Sequence, residues 1–233
     1  MTNYLINFST QTLGKLKRNR RIVPTPPSGY NLVKVNLGSG FGVTPGWINI
    51  DGSLNALISS WPNIFHRWFY HSTSVRKTFS LNQYCFILEN NCFIHHNLNY
   101  GIPFINQSVD FVYSSHFIEH LFKKDAITLL NEMFRVLKPG GGLRIGVPDL
   151  SQAISLYQLG EKEKMLKFFF PEESSNPFES HKYMYDFPIL KSILENIGFK
   201  EIQKCEFRKG KCPNIEQLDN RPDETLFVEA KKL

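Results

Sequence analysis

The 233-residue chain has no uninterrupted apolar run near the roughly 20 residues that a membrane-spanning helix needs. Its first residues also lack the arrangement of a secretory signal. These two absences make the cytoplasm the expected compartment. Cysteine is scarce: Cys85, Cys92, Cys205 and Cys212 form no CxxC pair and fit no zinc-binding spacing. They read as reduced thiols, some of them buried. His95 and His96 stand side by side, but neighbouring side chains on a strand point to opposite faces, so no metal site is expected from them. The chain carries no internal repeat, no nucleophile elbow for acyl transfer, and no carboxylate pair with independent support for glycoside hydrolysis.

Acidic residues are almost missing from the first 88 positions, where nine Lys and Arg face a single Asp51. The rest of the chain holds 18 basic and 20 acidic residues, so the net charge of +6 is concentrated at one end. Five of the basic residues fall within Lys15 to Arg21. That run suits contact with an anionic surface, with RNA or with a phosphorylated substrate, and it equally suits a solvated arm. Peripheral attachment to a membrane therefore stays open. No aromatic platform for single-stranded nucleic acid accompanies the run.

What is present is ample apolar material, 42% hydrophobic with 14% aromatic, enough for one generous domain. Pro24, Pro26, Pro27 and Gly29 punctuate a linker, which closes an amino-terminal arm over residues 1–31. Buried strands are expected over 32–37, 47–50, 92–96, 110–114 and 143–147, and further strands over 200–207 and 225–231. Helical patterns follow Ser80 (81–90) and Asp125, the latter carrying Ile127, Leu130, Phe134 and Leu137 at helical spacing. The Pro139-Gly140-Gly141-Gly142 run should stop that helix. Two more helices are expected at 151–159 and 161–169, and Asp186 caps another that ends before Gly198. Residues 53–91 read as an aromatic-rich insertion around Trp61, Phe65, Trp68, Phe69 and Tyr70. Alternating strands and helices predict an α/β, Rossmann-like fold with a mostly parallel sheet. The last two strands, with no helix between them, predict an antiparallel edge at the carboxyl end.

A glycine-rich turn, Gly38-Ser39-Gly40, follows the first strand, and Asp51 closes the second. Glycines let a backbone approach a ligand closely, and a carboxylate in that place accepts hydrogen bonds from ribose hydroxyls. Gly38 and Asp51 are 13 residues apart, whereas a dinucleotide fingerprint spans about 20 and opens a helix on its glycines. Pro45 and Gly46 leave little room for such a helix, so a dinucleotide is disfavoured. The connection back to a parallel second strand must be abbreviated, on the order of one helical turn.

The stretches VKVNLGSGFGVTPGWINIDGS, GIPFINQSVDFVYSSHFIEHLF, NEMFRVLKPGGGLRIGVPDL, HKYMYDFPILKSILENIGF and LDNRPDETLFVEAKK occur in that order over most of residues 33 to 232. In these the chain resembles the class I S-adenosylmethionine-dependent methyltransferases, and within them a small bacterial subgroup found with surface-polysaccharide genes. The resemblance implies S-adenosyl-L-methionine as cofactor and a methyltransferase domain over 32–233. It places Leu37, Gly38, Ser39 and Gly40 in the cofactor loop and Asp51 at the ribose. Asn97 stands near the adenine, where relatives often carry Asp; Ser115 and His116 lie beside the methionine part.

In an open sheet the reacting substrate meets residues that follow the middle strands. Those are His116 and Asp149, with His181, Tyr183 and Tyr185 as further contributors. Methyl transfer is direct attack on an activated sulfonium methyl, so the protein chiefly aligns the reactants and supplies a base if the acceptor is a hydroxyl. His116 suits the base because imidazole titrates near neutrality. Asp149 either handles a proton or caps the helix that begins near Ser151, and His120 reads as packing within its turn. The acceptor expected is a small molecule or saccharide precursor. The alternatives are RNA or protein as acceptor, or a non-catalytic, cofactor-binding component of a polysaccharide-synthesis complex. Oligomeric state is open.

Overall fold

The computed structural model describes residues 21–170 and 180–233. Lys15 to Arg20 of the basic run lie outside the described residues, as does most of the polar loop after residue 170. Seven strands form one sheet: β1 (Lys34–Leu37), β2 (Ile48–Asp51), β3 (Cys92–His95), β4 (Val109–Ser115), β5 (Leu137–Pro148), β6 (Lys200–Cys205) and β7 (Thr225–Lys231). Their order is β3-β2-β1-β4-β5-β7-β6. The first five run parallel, while β7 is antiparallel to both β5 and β6. This is the expected mixed α/β sheet with its antiparallel carboxyl-terminal edge. Strand order reverses between β1 and β4, and a crevice opens at such a point.

Eight helices surround the sheet among the described residues: α1 (Leu54–Ile58), α2 (Asn63–Ser72), α3 (Leu81–Asn90), α4 (Lys123–Val136), α5 (Leu150–Gln158), α6 (Lys162–Lys167), α7 (Phe187–Ile197) and α8 (Ile215–Leu218). Ser80 and Asp186 cap α3 and α7 as their sequences predict, and Gly198 ends α7 in the left-handed conformation. Asp125 does not cap α4. The helix starts two residues earlier, and Asp125 sits in its first turn, where a carboxylate favours the helix dipole. The Pro-Gly-Gly-Gly run is part of β5 rather than a break before it. There the register slips, with Leu137 opposite Val109 and Gly142 opposite Phe111. A Cβ on Gly142 would lie 2.3 Å from the Phe111 ring, so glycine is required by the close strand approach.

The two faces of the sheet differ. One carries Val35, Leu37, Ile48, Ile50, Val112, Leu143, Ile145, Val147, Leu226 and Val228, packed on Leu129, Leu130, Met133 and Val136 of α4 and Leu190 and Leu194 of α7. The other carries Lys34, Asn36, Trp47, Asn49, Tyr113, Arg144 and Glu229, all buried. No helix joins β1 to β2: residues 38–47 cross in turns alone, shorter even than the single helical turn expected. Asn36 holds this short crossing, donating from its amide to the Gly42 carbonyl (2.8 Å) and to Asn49 Oδ1 (3.1 Å). Trp47 and the segment 206–221, including the unforeseen α8, cover the area instead. The aromatic segment 53–91 builds a third cluster of its own around Ile58, Tyr84, Cys85 and Leu88. Ile22 docks against the domain through Pro103 and Ile105, so the end of the arm is not free of the fold. All four cysteines are free thiols.

Candidate functional site

A cleft of about 270 Å³ opens at the carboxyl ends of β1 and β4. Asn36, Gly38 through Gly42, Tyr113, Ser115, His116, Leu218, Asn220 and Arg221 line it. Its position follows from the reversal of strand order, and its floor from glycine. Gly38 has φ +64°, and a Cβ there would fall 2.3 Å from the Phe117 ring. Gly40 also has a positive φ, +49°. The Asp51 carboxylate braces this loop: Oδ2 accepts from the Gly40 N–H (2.9 Å) and Oδ1 from the Ser53 N–H (2.7 Å). Each oxygen keeps further acceptor capacity.

Gly38, Ser39, Gly40, Ser115 and His116 thus meet in one cleft, with Asp51 bonded to its edge through Gly40. Leu37 is buried beneath it, and its carbonyl accepts from Ser114 Oγ at 3.2 Å. Asn97 is off the cleft wall. Its Oδ1 accepts from the Asn99 N–H (3.0 Å), which leaves its amide N–H groups as the freer end.

His116 has φ +50°, an uncommon conformation for a residue with a side chain. Its Nδ1 lies 3.2 Å from Arg221 Nη1. A guanidinium only donates, so Nδ1 carries the lone pair, and the Nε2–H donates to Thr225 Oγ1 at 2.8 Å. The same Nδ1 is 3.4 Å from Glu119 Oε1.

Asp149 and His181 are not on the cleft wall. Asp149 caps α5, accepting from Ser151 N–H (3.0 Å) and Oγ (2.5 Å), and pairs with Lys204 Nζ at 3.1 Å. His181 donates from Nδ1 to the Phe168 carbonyl, and its ring centroid is 5.0 Å from that of His120. Burial holds the His120 imidazole below its ordinary pKa, against the opposing pull of Glu119. Tyr183 packs edge-on against Tyr185. Burial, together with the nearby Glu119 charge, pushes the Tyr185 phenol pKa up.

Asn36, Asn220, Arg221 and Glu119 were missed. Asn36 was visible, with Lys34, as one of two polar residues inside a buried strand. Asn220 and Arg221 belong to the LDNRPDETLFVEAKK stretch, just ahead of its strand. They reach the cleft because the preceding loop is clamped from below. Arg144 is fully buried and spends all five donors: two on Asp219 (3.1 and 2.5 Å), one on Glu229 (3.0 Å), and one each on the Lys209 and Glu206 carbonyls (3.2 Å). Tyr113, on the cleft wall, donates to the Leu218 carbonyl at 3.0 Å.

A mostly parallel seven-stranded sheet of this order, with a glycine-floored cleft at its switch point, is the Rossmann-like fold of class I methyltransferases. Residues 76–145 match the family model described as a methyltransferase domain. The chain therefore has the fold of the class I methyltransferases, and the matched segment runs from just ahead of α3, the helix before β3, into β5. Among solved structures it is similar to a possible exported protein from Bordetella parapertussis, at 13% identity and a TM-score of 0.51 over 97% of this chain. It is equally similar to a candidate O-methyltransferase from Nostoc punctiforme, at 13% identity, a TM-score of 0.51 and 97% coverage. The chain spans only 66% and 67% of those two proteins. No curated protein matches it. No helix among the described residues is long and apolar enough to cross a membrane.

Proposed function

We propose that the chain transfers the methyl group of S-adenosylmethionine to a hydroxyl of a small molecule or saccharide precursor. The observation that carries this reading is the glycine-floored cleft braced by Asp51. Its residues fit the cofactor. Gly40, where an added Cβ would meet open space, leaves room at the backbone, Asp51 offers acceptors for ribose hydroxyls, and Ser39, Ser115 and Asn220 on the cleft wall would hold the methionyl part. Asn97, whose Oδ1 is taken by the Asn99 N–H, would offer its amide N–H groups to the adenine. When bound, the cofactor supplies an activated methyl on a positively charged sulfur.

His116 takes the acceptor proton at Nδ1, where the Glu119 carboxylate holds the resulting imidazolium and Thr225 fixes the ring from the other side. Arg221 occupies that lone pair now, and it is half exposed at the cleft mouth. An anionic group on the acceptor, such as a sugar phosphate, draws Arg221 away and frees the base. The half-exposed Arg221 guanidinium on the cleft wall is what supports an anionic acceptor. Asp149, engaged with α5 and Lys204, serves the helix rather than the proton.

Calorimetric titration tests the first layer. S-adenosylmethionine and its demethylated product should both bind, and Asp51→Ala should weaken them about 10- to 100-fold, the worth of a hydrogen bond to a charged group. Undiminished binding after Asp51→Ala overturns the site. Methyl-label transfer into fractionated metabolites, glycans and RNA tests the acceptor, and label in RNA alone rejects the saccharide. His116→Ala should lower turnover about 10²- to 10⁴-fold with cofactor affinity kept.

A further inference from the structure

We propose that Glu119, His120 and His181 bind one divalent first-row transition cation beside the methyl-transfer cleft. One potential ligand atom from each lies within 4.8 Å of the others. A cation with bonds of about 2.1 Å needs them somewhat closer, a shift that side-chain rotation provides. Two imidazoles and one carboxylate form a donor set for zinc, manganese, cobalt or iron, with positions left open for an exogenous ligand.

Glu119 supplies an independent reason. Its side chain is fully buried, and neither carboxylate oxygen has a hydrogen-bond donor among the described residues. The nitrogens nearest to it do not remedy this. His116 Nδ1, at 3.4 Å, holds a lone pair because Arg221 donates to it. His120 Nε2, at 3.8 Å, also holds a lone pair in the neutral ring, because Nδ1 faces the Ser180 carbonyl (3.3 Å) and must donate there. A buried anion facing lone pairs is an arrangement that a cation completes.

The outer contacts are those of metal-ligating histidines. Such residues donate their second ring N–H to a carbonyl or carboxylate, which fixes the tautomer and orients the lone pair. His120 does this through Ser180, and His181 through Phe168, leaving Nε2 of both rings to coordinate. The binding site stands on this geometry alone. Its relation to the cleft rests on the methyl-transfer reading: the shared residue is Glu119, whose Oε1 lies 3.4 Å from His116 Nδ1, so an occupied site would fix the carboxylate that faces the base.

The full-length chain, free of cofactor, is titrated with Co²⁺ followed by absorption in the visible range, and then with Zn²⁺ as competitor. One Co²⁺ per chain is expected, displaced by Zn²⁺. His181→Ala and Glu119→Gln should each weaken binding about 100-fold or more. His181→Ala, at a half-buried position, should keep the thermal melting profile of the wild type and its affinity for S-adenosylmethionine, which separates loss of metal from loss of fold. Absence of saturable Co²⁺ and Zn²⁺ binding at neutral pH, or binding indifferent to His181→Ala, overturns the proposal. Failure of S-adenosylmethionine to bind in a parallel titration would sink the methyl-transfer reading and leave the cation result standing.

Discussion

The two faces of the sheet solve the same burial problem with opposite chemistry. On one, α4 and α7 lay apolar stripes across Val35, Val112, Ile145 and Val228, and stability comes from surface removed from water. On the other no helix follows β1, and the gap is filled by Trp47, Tyr113 and a long loop wound about a buried guanidinium. The first face holds the sheet together without touching the cleft, whereas the second carries Asn220 and Arg221 to it. Missing a helix, this domain uses a charge cluster to position a loop. Stability and site geometry are therefore separable by mutation.

Arg144→Ala should have the largest effect. It leaves Asp219 and Glu229 buried without their cation, a loss of about 3–5 kcal/mol. Arg144→Met keeps the volume and should be almost as damaging, because the stranded carboxylates remain. Wherever either variant folds, cofactor affinity should fall with stability as the 206–221 loop loosens. Leu130→Ala on the opposite face should cost about 2–5 kcal/mol by leaving a cavity under α4. Here affinity at temperatures well below the melting point should match the wild type. Chemical denaturation paired with titration measures both quantities. Equal loss of affinity in Leu130→Ala would erase the distinction between the faces.

The apolar face was largely legible in the sequence, because alternation in strands and helical spacing over Leu130 and Phe134 report burial directly. The caps at Ser80 and Asp186 were legible too, since their chemistry is local. The polar face was not. A buried Arg144 looks like any surface arginine until β7 brings Glu229 across from it, at a separation of 85 residues. The glycine loop and Asp51 showed in their order along the chain. The Glu119 cluster stayed hidden because its members, Glu119 and His120 against His181, come from a turn after β4 and from a loop far along the chain. The short crossing between β1 and β2 was foreseen as abbreviated, but its support by Asn36 depends on side-chain contacts that spacing does not reveal.

The apolar face has a polar fastening of its own, and it sharpens the comparison at the smallest scale. Glu132 on α4 is paired with Arg135 Nε at 2.6 Å and accepts the Ile102 N–H at 3.0 Å, tying the loop before β4 to the helix. Partial burial raises its pKa, but the hydrogen bonds and charge of Arg135 outweigh that and hold the carboxyl below its ordinary value of 4.5. The folded state therefore binds this proton less readily than the unfolded chain does. Its stabilisation is complete above about pH 4.5 and disappears as the pH falls through the lower, folded value. Glu132→Gln should cost about 1 kcal/mol at pH 7, as expected for one partly solvated pair. Below the folded value the two proteins should converge, and urea unfolding across pH 3 to 7 follows the approach. Unlike Arg144, Glu132 stands apart from the cleft, so its loss should leave cofactor affinity unchanged. A drop in affinity would mean that the apolar face also sets the position of the site.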